Sequence, residues 1–319
     1  MARRRILQKV TDVHVRPSPE VVSLVDQMGK GGGFTAKSMW QAAQILHDMH
    51  ADDGCTKFLS FPAAPVATGL RGVLVDMVKA GLVDVIITAS GTLDHDIART
   101  RASYYHGSFE MDDAELHRSG YHRLGNILIP LDNYGPLVEK TMQRLLAKLY
   151  AGGVRSVTSE FLCAEIGKEL GSTSSLLWWA QKKGVPVFVP GITDGAVGSQ
   201  LWLFAESHRD FGIDLLGDER RLSDIVADSK RTGALVLGGG ISKHHTIWWN
   251  MFRGGLDYAC YVTTADEYDG SLSGAQVREA VSWGKVKEKA KQVTLKGEVT
   301  TLLPFLASYA LAKSARLRR

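Results

Sequence analysis

The sequence lacks the long apolar run that a membrane-spanning helix requires. None of its continuous apolar stretches reaches the roughly 18 residues that such a helix needs. Residues 1–9 include three arginines, but no apolar stretch follows them that could serve as a signal peptide. Hydrophobic residues make up 45% of the chain and charged residues 23%, which excludes the disordered and collagen-like classes. We therefore expect a globular protein of the cytoplasm.

Cysteine is also scarce, which bears on disulfide bonds and metal sites. The three cysteines, Cys55, Cys163 and Cys260, are far apart and odd in number, so they indicate neither a disulfide framework nor a CxxC site. The adjacent histidines, His244 and His245, lack the HExxH spacing that is typical of zinc enzymes. The sequence therefore predicts no bound metal.

The body of the chain has no surplus of positive charge, although the formal net charge is +4. Basic residues cluster at the two ends, as Arg3, Arg4 and Arg5 and as Lys313, Arg316, Arg318 and Arg319. Without them the body carries about −3. We interpret the ends as solvated tails and expect no nucleic-acid partner, because an acidic body suits a cationic ligand better than a polyanion.

Segments with strand character alternate with segments of helical period along most of the chain. The predicted strands are residues 57–61, 83–88, 126–130, 185–189, 234–237 and 258–263. The clearest helices between them are residues 70–79, 138–149 and 174–183, each followed closely by glycine. This alternation predicts an α/β fold with a doubly wound, mainly parallel sheet.

No feature of the sequence marks a domain boundary. The 319 residues contain no long polar linker, internal repeat or low-complexity stretch. Residues 17–49 have the pattern of two helices separated by Gly31, Gly32 and Gly33. We predict one domain over residues 1–319 with a helical N-terminal segment of about 1–54.

The loops that follow the predicted strands are candidates for ligand binding, because ligands of such sheets bind at the carboxyl ends of strands. Residues 89–96 combine small residues with acids, and residues 238–240 are three glycines that do not form a GxGxxG motif. The loop at 264–275 is rich in acids and glycines. A cationic ligand and a solvated acidic turn both remain open for it, whereas the EF-hand order of calcium ligands does not fit.

Lys285 and His244 have two readings each. A lysine behind apolar and aromatic residues becomes nucleophilic when burial lowers its pKa, but the local sequence alone favours an exposed lysine at a helix end. His244 is either a proton carrier or a histidine that is satisfied by the backbone at a helix start.

Taken together, these loops resemble the deoxyhypusine synthase family. The stretches that carry the resemblance are SGTLDHDIAR at 90–99, YYHGSF at 104–109, VPGITDG at 189–195, LGGGISKHH at 237–245, DGSLSGA at 269–275 and EAVSWGK at 279–285. They follow the order of the family and cover the chain from about Val15 to Leu311, with most similarity to the archaeal branch.

The resemblance implies a Rossmann-like subunit of a homotetramer, with NAD and active sites shared across subunit interfaces. It also implies the reaction. NAD oxidises spermidine to an imine, an enzyme lysine captures the aminobutyl group, and 1,3-diaminopropane leaves. The group then passes to one lysine of the translation factor 5A precursor and is reduced there.

The family pattern also assigns residues to roles. It implies catalytic roles for Lys285, His244 and Glu279. It places NAD contacts at Ser90, Gly91, Asp194, Gly239, Thr264, Ala265 and Glu298. It places substrate contacts at Asp94, His95, His244, Tyr261, Asp269, Gly270, Ser271, Glu279 and Trp283.

The chain departs from the eukaryotic pattern at three positions near the polyamine. Ser199 and Leu272 stand where that pattern has aspartates, and Trp248 stands where it has asparagine. These changes motivate the alternative of a related NAD-dependent aminobutyltransferase that makes a small polyamine, as homospermidine synthase does. A binding protein without turnover is a further alternative, against which the retained Lys285, Glu279 and His244 argue.

Overall fold

The computed structural model describes residues 7–317, with side chains described for residues 7–314. The strands in this part of the chain are β1 (Cys55–Phe61), β2 (Val85–Thr88), β3 (Tyr105–His106), β4 (Tyr121–Leu124), β5 (Ile127–Pro130), β6 (Ser156–Val157), β7 (Val187–Phe188), β8 (Gly212–Ile213), β9 (Arg231–Leu237), β10 (Leu256–Thr263) and β11 (Val286–Lys296). The α-helices are α1 (Pro19–Gly31), α2 (Phe34–Ala51), α3 (Ala64–Ala67), α4 (Leu70–Lys79), α5 (Ser90–Arg101), α6 (Asp113–Arg118), α7 (Gly135–Ala151), α8 (Ser159–Leu170), α9 (Leu176–Lys183), α10 (Ala196–Ser207), α11 (Leu215–Asp228), α12 (Gly240–Met251), α13 (Glu279–Ser282) and α14 (Val299–Leu317).

The main sheet has the order β11-β10-β9-β1-β2-β7, and all of its strand pairs are parallel. Numbered along the chain, these six strands lie in the order 6-5-4-1-2-3, which is the order of a doubly wound dinucleotide-binding sheet. The direction of progression reverses between β1 and β9. The predicted α/β fold with a doubly wound parallel sheet is confirmed.

The two faces of this sheet bury different helices. Successive residues of a strand point to opposite faces, so Leu59 packs in one cluster with α1, α2, α4 and α14, while Phe58 packs in another with α11, α12 and α13. Both side chains are 1% exposed. Burial on both faces explains why these strands consist of nearly continuous apolar runs.

The N-terminal helices form as the sequence predicts. The side chain of Ser18 accepts a hydrogen bond from the amide of Val21 and caps α1, whose first residue is Pro19. Gly32 ends this helix with a φ of +70°, a conformation that glycine adopts without strain. The predicted helix at 70–79 also matches α4 in both of its ends.

Two predictions about the strands need correction. Residues 126–130 do contain a strand, β5. However, β5 pairs antiparallel with β3 and β4 in a separate sheet of three strands, so the prediction that this strand belongs to the parallel sheet is wrong. The 11-residue strand β11 was not predicted at all. Its lysines and glutamate interrupt the apolar pattern from which strands are predicted. An edge strand tolerates these charges because one of its sides is solvated, whereas a central strand does not.

Some expectations concern the chain ends and the overall organisation. Arg3, Arg4, Arg5, Arg318 and Arg319 lie outside the described residues. Within residues 7–317, no helix is both long and apolar enough to cross a membrane. One domain over residues 1–319 stays a prediction.

Candidate active site

A cleft opens where the strand order reverses, at the carboxyl ends of β1 and β9. It has a volume of about 430 Å³, and Pro62, Ala64, Gly238 and Glu298 are among the residues that line it. Reversal points are where doubly wound sheets bind ligands, because the loops there turn to opposite faces and leave a crevice. The volume lies in the range of pockets that hold small molecules.

Three glycines follow β9, and the first of them, Gly238, lines this cleft. Gly238 and Gly240 have φ values of +73° and +71°, so residues with a side chain would be strained there. A Cβ atom on Gly239 would lie 2.1 Å from Oγ of Ser273, which leaves no room for it. The chain then enters the 12-residue helix α12, whose first amides have no partner within the helix and lie at its positive end. The loop therefore suits close approach of an anionic ligand group.

The loops after β2 and β7 meet close to Ser90, a predicted cofactor contact. The hydroxyl of Ser90 donates to the carbonyl of Ile192 at 2.9 Å, and a Cβ on Gly195 would lie 2.6 Å from that hydroxyl. There is equally little space for a side chain at Gly91, since a Cβ there would lie 2.8 Å from Cβ of Ala63. Asp194, next to Gly195, is exposed.

Three further predicted cofactor residues follow β10 and β11. Thr264 is exposed, and the carbonyl of Ala265 accepts a hydrogen bond from Nζ of Lys296. The carboxylate of Glu298 lines the cleft and accepts amide hydrogen bonds from Thr300 at 2.9 Å and Thr301 at 3.1 Å. Burial alone would raise the pKa of Glu298, but these hydrogen bonds outweigh it and lower the pKa. An ionised Glu298 is thus fixed at the rim of the cleft.

Lys285 lies in a second, smaller cavity of about 140 Å³. The residue is only 7% exposed, which excludes the reading of an exposed lysine at a helix end. Its Nζ lies 5.0 Å from the ring centroid of Trp283 and 5.6 Å from that of Trp248. Gly284, with a φ of +68°, turns the chain between α13 and β11 and thereby directs Lys285 inwards.

Lys243 shares this cavity, and the sequence reasoning assigned it no role. It is 1% exposed, and its Nζ donates hydrogen bonds to the carbonyls of Leu272 at 2.6 Å and Ala275 at 2.8 Å. Burial lowers its pKa to about 8, while the charge of Glu279 opposes that shift. The available signal was its position in LGGGISKHH, directly before the two histidines. Lys243 ties the 264–275 loop to α12.

The two adjacent histidines have different surroundings. The ring of His244 is exposed and stacks on Trp248 with centroids 5.6 Å apart. Burial and, next, the positive charge of Lys285 lower the pKa of His244, so it is neutral at physiological pH. His245 points the other way, towards Glu219 at 3.5 Å, and burial lowers its pKa to about 4. Only His244 faces Lys285.

The structure brings some predicted substrate residues to Lys285 and leaves others apart. Glu279, Tyr261 and Trp283 line the lysine cavity. The hydroxyl of Tyr261 is buried and has no hydrogen-bond partner among the described residues. The turn of Asp269, Gly270 and Ser271 is exposed, does not line the cavity, and is held by a 2.7 Å hydrogen bond from the amide of Ser271 to the carboxylate of Asp269.

Asp94 and His95 lie on α5 and likewise do not line the cavity of Lys285. Asp94 is 1% exposed and accepts hydrogen bonds from the amides of Ala196 and Val197 and from the hydroxyl of Tyr134. Burial raises its pKa, and these hydrogen bonds act against the rise. His95 pairs with the hydroxyl of Tyr104 at 2.9 Å.

Comparison with known proteins gives a match over most of the chain. The family model for deoxyhypusine synthase matches residues 23–310. The chain belongs to the deoxyhypusine synthase family. A protein of Thermoplasma acidophilum named "Probable deoxyhypusine synthase" is 53% identical over 307 residues, which cover 96% of this chain and 98% of that protein.

Other archaeal members of the deoxyhypusine synthase family are also similar. A protein of Ignicoccus hospitalis with the same name is 48% identical over 313 residues, covering 97% of both chains. The crystal structure of a "putative deoxyhypusine synthase" from Entamoeba histolytica superposes with a TM-score of 0.63 at 21% identity, covering 90% of this chain and 91% of that chain. At that identity the superposition supports the fold alone.

Membership of the deoxyhypusine synthase family makes the protein an enzyme of the transferase kind, in a family that depends on a cofactor. The alternative of an enzyme that makes a small polyamine is not favoured by these matches. The three departures fall in different places. Leu272 lines the lysine cavity, Trp248 faces Lys285, and Ser199 lies on α10, where its hydroxyl donates to the carbonyl of Gly195.

Proposed function

We propose that this protein is a deoxyhypusine synthase that uses NAD to transfer the aminobutyl group of spermidine to one lysine of the translation factor 5A precursor. The observation that carries the proposal is the position of Lys285. Its amine is buried in a small cavity that α12 links to the cleft, since Gly238, just before α12, lines the cleft and Lys243 and Ile247 of α12 line the cavity. A nucleophile and a cofactor cleft thus share one helix.

The cleft has the features that a dinucleotide needs. Gly238 in its lining allows close backbone contact, and the start of α12 offers free amides to a phosphate. The residues that would hold NAD are Ser90, Gly91, Asp194, Gly239, Thr264, Ala265 and Glu298. An acidic residue such as Asp194 favours NAD over NADP, because it binds a free ribose hydroxyl and repels a phosphate. When bound, NAD supplies the two-electron oxidation of the amine and the hydride for the final reduction.

In and beside the lysine cavity, we assign each residue a distinct task. The amine of Lys285 attacks the imine carbon of the oxidised spermidine, the bond from that carbon to the nitrogen of the three-carbon part breaks, and 1,3-diaminopropane leaves as an amine that carries the two protons that the lysine nitrogen gives up on forming its own imine. His244 accepts a proton from the substrate amine, because its lowered pKa keeps it neutral. Glu279 and Trp283 hold the ammonium group by charge and by cation–π attraction.

We further propose that a homotetramer completes the active site, as the family resemblance implies. Asp94, His95 and Asp269 do not line the lysine cavity of their own chain, and Ile241 of α12 is 48% exposed and Phe252, the residue after that helix, 63%. A second chain would cover these side chains and bring in missing substrate contacts. Light scattering of the purified protein should give a mass near four times 34.8 kDa. A cytoplasmic location fits a reaction on a translation factor.

The test of function is the fate of labelled aminobutyl groups. The protein is incubated with NAD, spermidine labelled in its aminobutyl portion, and either the 5A precursor or putrescine. We expect label on the precursor and release of 1,3-diaminopropane. Lys285→Arg should abolish the transfer, whereas the matched control Lys289→Arg, an exposed lysine of β11, should retain it. Label that appears only in a small polyamine would contradict the proposal.

A further inference from the structure

One wall of the cofactor cleft comes from residues 62–68, which lie between β1 and α4. Pro62, Ala64, Pro65 and Thr68 of this 62–68 segment line the cleft. Helix α3 within the segment has only four residues, and a helix of one turn is not stable by itself in water. Proline and alanine side chains form no hydrogen bonds, so another part of the chain must hold the segment in place.

The 62–68 segment also packs closely against two loops that hold predicted cofactor contacts. A Cβ on Gly91, in the loop after β2, would lie 2.8 Å from Cβ of Ala63. A Cβ on Gly238, in the loop after β9, would lie 3.5 Å from Cδ of Pro62. A shift of the segment would therefore change the shape of the cleft beside both loops.

Arg99 of α5 holds this segment through two carbonyl groups. Its Nη1 donates hydrogen bonds to the carbonyl of Val66 at 3.0 Å and to the carbonyl of Thr68 at 2.6 Å. Both carbonyls lie at the end of α3, where helix carbonyls have no partner within the helix. The side chain of Arg99 is 4% exposed, so these hydrogen bonds are shielded from water. Hydrogen bonds from a charged donor are also stronger than those between neutral groups.

Asp12, near the start of the described chain, holds Arg99 in turn. Its carboxylate lies 2.9 Å from Nη1 of Arg99 and 2.7 Å from Nη2 of Arg71. Burial and, next, the charge of Arg71 lower the pKa of Arg99, while Asp12 opposes that shift. The amide of Val13 donates to the carbonyl of Gly69 at 2.8 Å and so fixes Asp12 beside the two arginines. Asp12 thereby supplies the negative charge that a buried arginine requires.

We propose that Arg99 is a positioning residue, which holds the 62–68 segment where it shapes the cofactor cleft, and that Asp12 keeps Arg99 in that place. Neither residue lines the cleft, so both act through the segment and not by touching the cofactor. This inference rests on the proposed function for the identity of the cofactor as NAD. Without the two hydrogen bonds from Arg99 the segment would be free to shift, and a smaller fraction of the molecules would have the cleft in the shape that binds NAD.

The test measures NAD affinity by calorimetry and stability by urea unfolding, both for the full-length protein. Arg99→Met removes the donors and should weaken NAD binding about tenfold, the loss expected from one charge-assisted hydrogen bond. Arg99→Lys keeps the charge and one donor group, so it should restore part of the affinity. Asp12→Asn should also give a partial loss, because an amide does not balance the charge of Arg99. The lysine and asparagine variants keep the test valid if Arg99→Met does not fold.

Two controls on α5 separate positioning from folding. Arg101→Met removes an arginine that also donates to a carbonyl, that of Glu169 at 2.9 Å, but that does not contact the 62–68 segment. Asp96→Asn changes the other carboxylate of the buried network, which lies 3.4 Å from Arg71 and accepts hydrogen bonds from the first amides of α9. Asp96→Asn should lower the urea midpoint, and both controls should bind NAD within twofold of the wild type.

The outcomes separate this inference from the proposed function. If the wild type releases 1,3-diaminopropane but the Arg99 and Asp12 variants bind NAD within twofold of it, the positioning role is refuted and the function stands. If Asp96→Asn loses as much NAD affinity as the Arg99 variants, lost stability explains the effect and the positioning role is again refuted. If NAD affinity falls in the predicted order but no transfer occurs, the positioning role stands and the function is refuted. If the wild type does not bind NAD, both are refuted.

Discussion

The polar side chains of α5 and those around Lys285 use their hydrogen-bonding capacity differently. On α5, Asp94 accepts three hydrogen bonds, two of them from the first amides of α10. Asp96 accepts from the amides of Leu176 and Leu177 at the start of α9. Each carboxylate therefore caps a neighbouring helix.

Around Lys285, two polar groups have no such partner, although Lys243 in the same cavity donates hydrogen bonds to two carbonyls. The Lys285 amine contacts two aromatic rings and forms no hydrogen bond or ion pair with any described residue, and the hydroxyl of Tyr261 is buried without a partner. Unpaired buried polar groups are costly, so they persist where a ligand satisfies them. The family pattern assigns substrate contacts both to α5 and to the surroundings of Lys285, but the comparison shows that the two regions have different primary roles. The carboxylates of α5 organise helices, whereas we propose that a substrate satisfies the unpaired polar groups around Lys285.

The largest expected effect is on the chemistry of Lys285. Lys285→Arg keeps the positive charge but removes the nucleophile, so transfer activity should fall to background while the free energy of unfolding changes by less than about 1 kcal/mol. Release of 1,3-diaminopropane and urea unfolding measure the two quantities. If Lys285→Arg retains activity, or unfolds at much lower urea concentrations than the wild type, the contrast between a structural α5 region and a catalytic Lys285 region is wrong.

The opposite pattern is expected for Asp94. Asp94→Ala leaves two amides of α10 and the hydroxyl of Tyr134 without their acceptor, so the free energy of unfolding should fall by about 3 kcal/mol. Asp112→Ala is the matched control, because Asp112 caps the short, exposed helix α6, and its loss should cost about 1 kcal/mol or less. Equal urea midpoints for Asp94→Ala and the wild type would contradict the capping role.

Lys243 connects the two roles, because it is structural and lies in the lysine cavity. Lys243→Met leaves the carbonyls of Leu272 and Ala275 unpaired and should cost about 2 kcal/mol of stability. In the folded wild type the pKa of Lys243 is about 8, below the ordinary value of 10.5. Between these two pH values the unfolded chain binds more protons than the folded chain, so the free energy of unfolding rises with pH in this range. The variant lacks that rise.

Urea unfolding at pH 7.5 and pH 9.5 measures the effect at Lys243. The stability gap between the wild type and Lys243→Met should widen at the higher pH. Lys289→Met, which changes an exposed lysine, should show the same pH dependence as the wild type. A constant gap for Lys243→Met would mean that the buried amine does not titrate in this range.

The smallest effect is expected for His95 in weak acid. Burial and, next, Arg99 lower its pKa to about 4, so between pH 6.5 and pH 4 the unfolded chain binds a proton that the folded chain does not. Stability should therefore fall as the pH decreases, and the wild type should lose up to about 2 kcal/mol more than His95→Gln between pH 7 and pH 5. Urea unfolding at both pH values tests this. The exposed His117→Gln should lose as much as the wild type.

Much of the fold could be predicted because its signals are local. Continuous apolar runs mark β1, β2, β9 and β10, and glycines mark the ends of helices. Strand β11 was missed because its solvated positions carry lysines and a glutamate, and β5 was assigned to the wrong sheet because an apolar run does not reveal its partner strands. Pairing depends on contacts between distant residues, which local patterns do not contain.

The candidate site also has features that local sequence predicts and features that it does not. The motif EAVSWGK indicated Lys285, but the contact of its amine with Trp248 comes from α12, another part of the chain. The capping role of Asp94 depends on amides 102 and 103 residues away. Chemistry can be predicted from a motif, whereas the environment of each side chain is set by tertiary packing.

The central claim is that Lys285 is the residue to which the aminobutyl group attaches. The most direct measurement is to incubate the protein with NAD and spermidine labelled in its aminobutyl portion, reduce with borohydride, and map the labelled peptide by mass spectrometry. We predict one aminobutyl group on Lys285 and none on Lys243, whose amine is held by two carbonyls. Label on another residue, or on none, would contradict the claim.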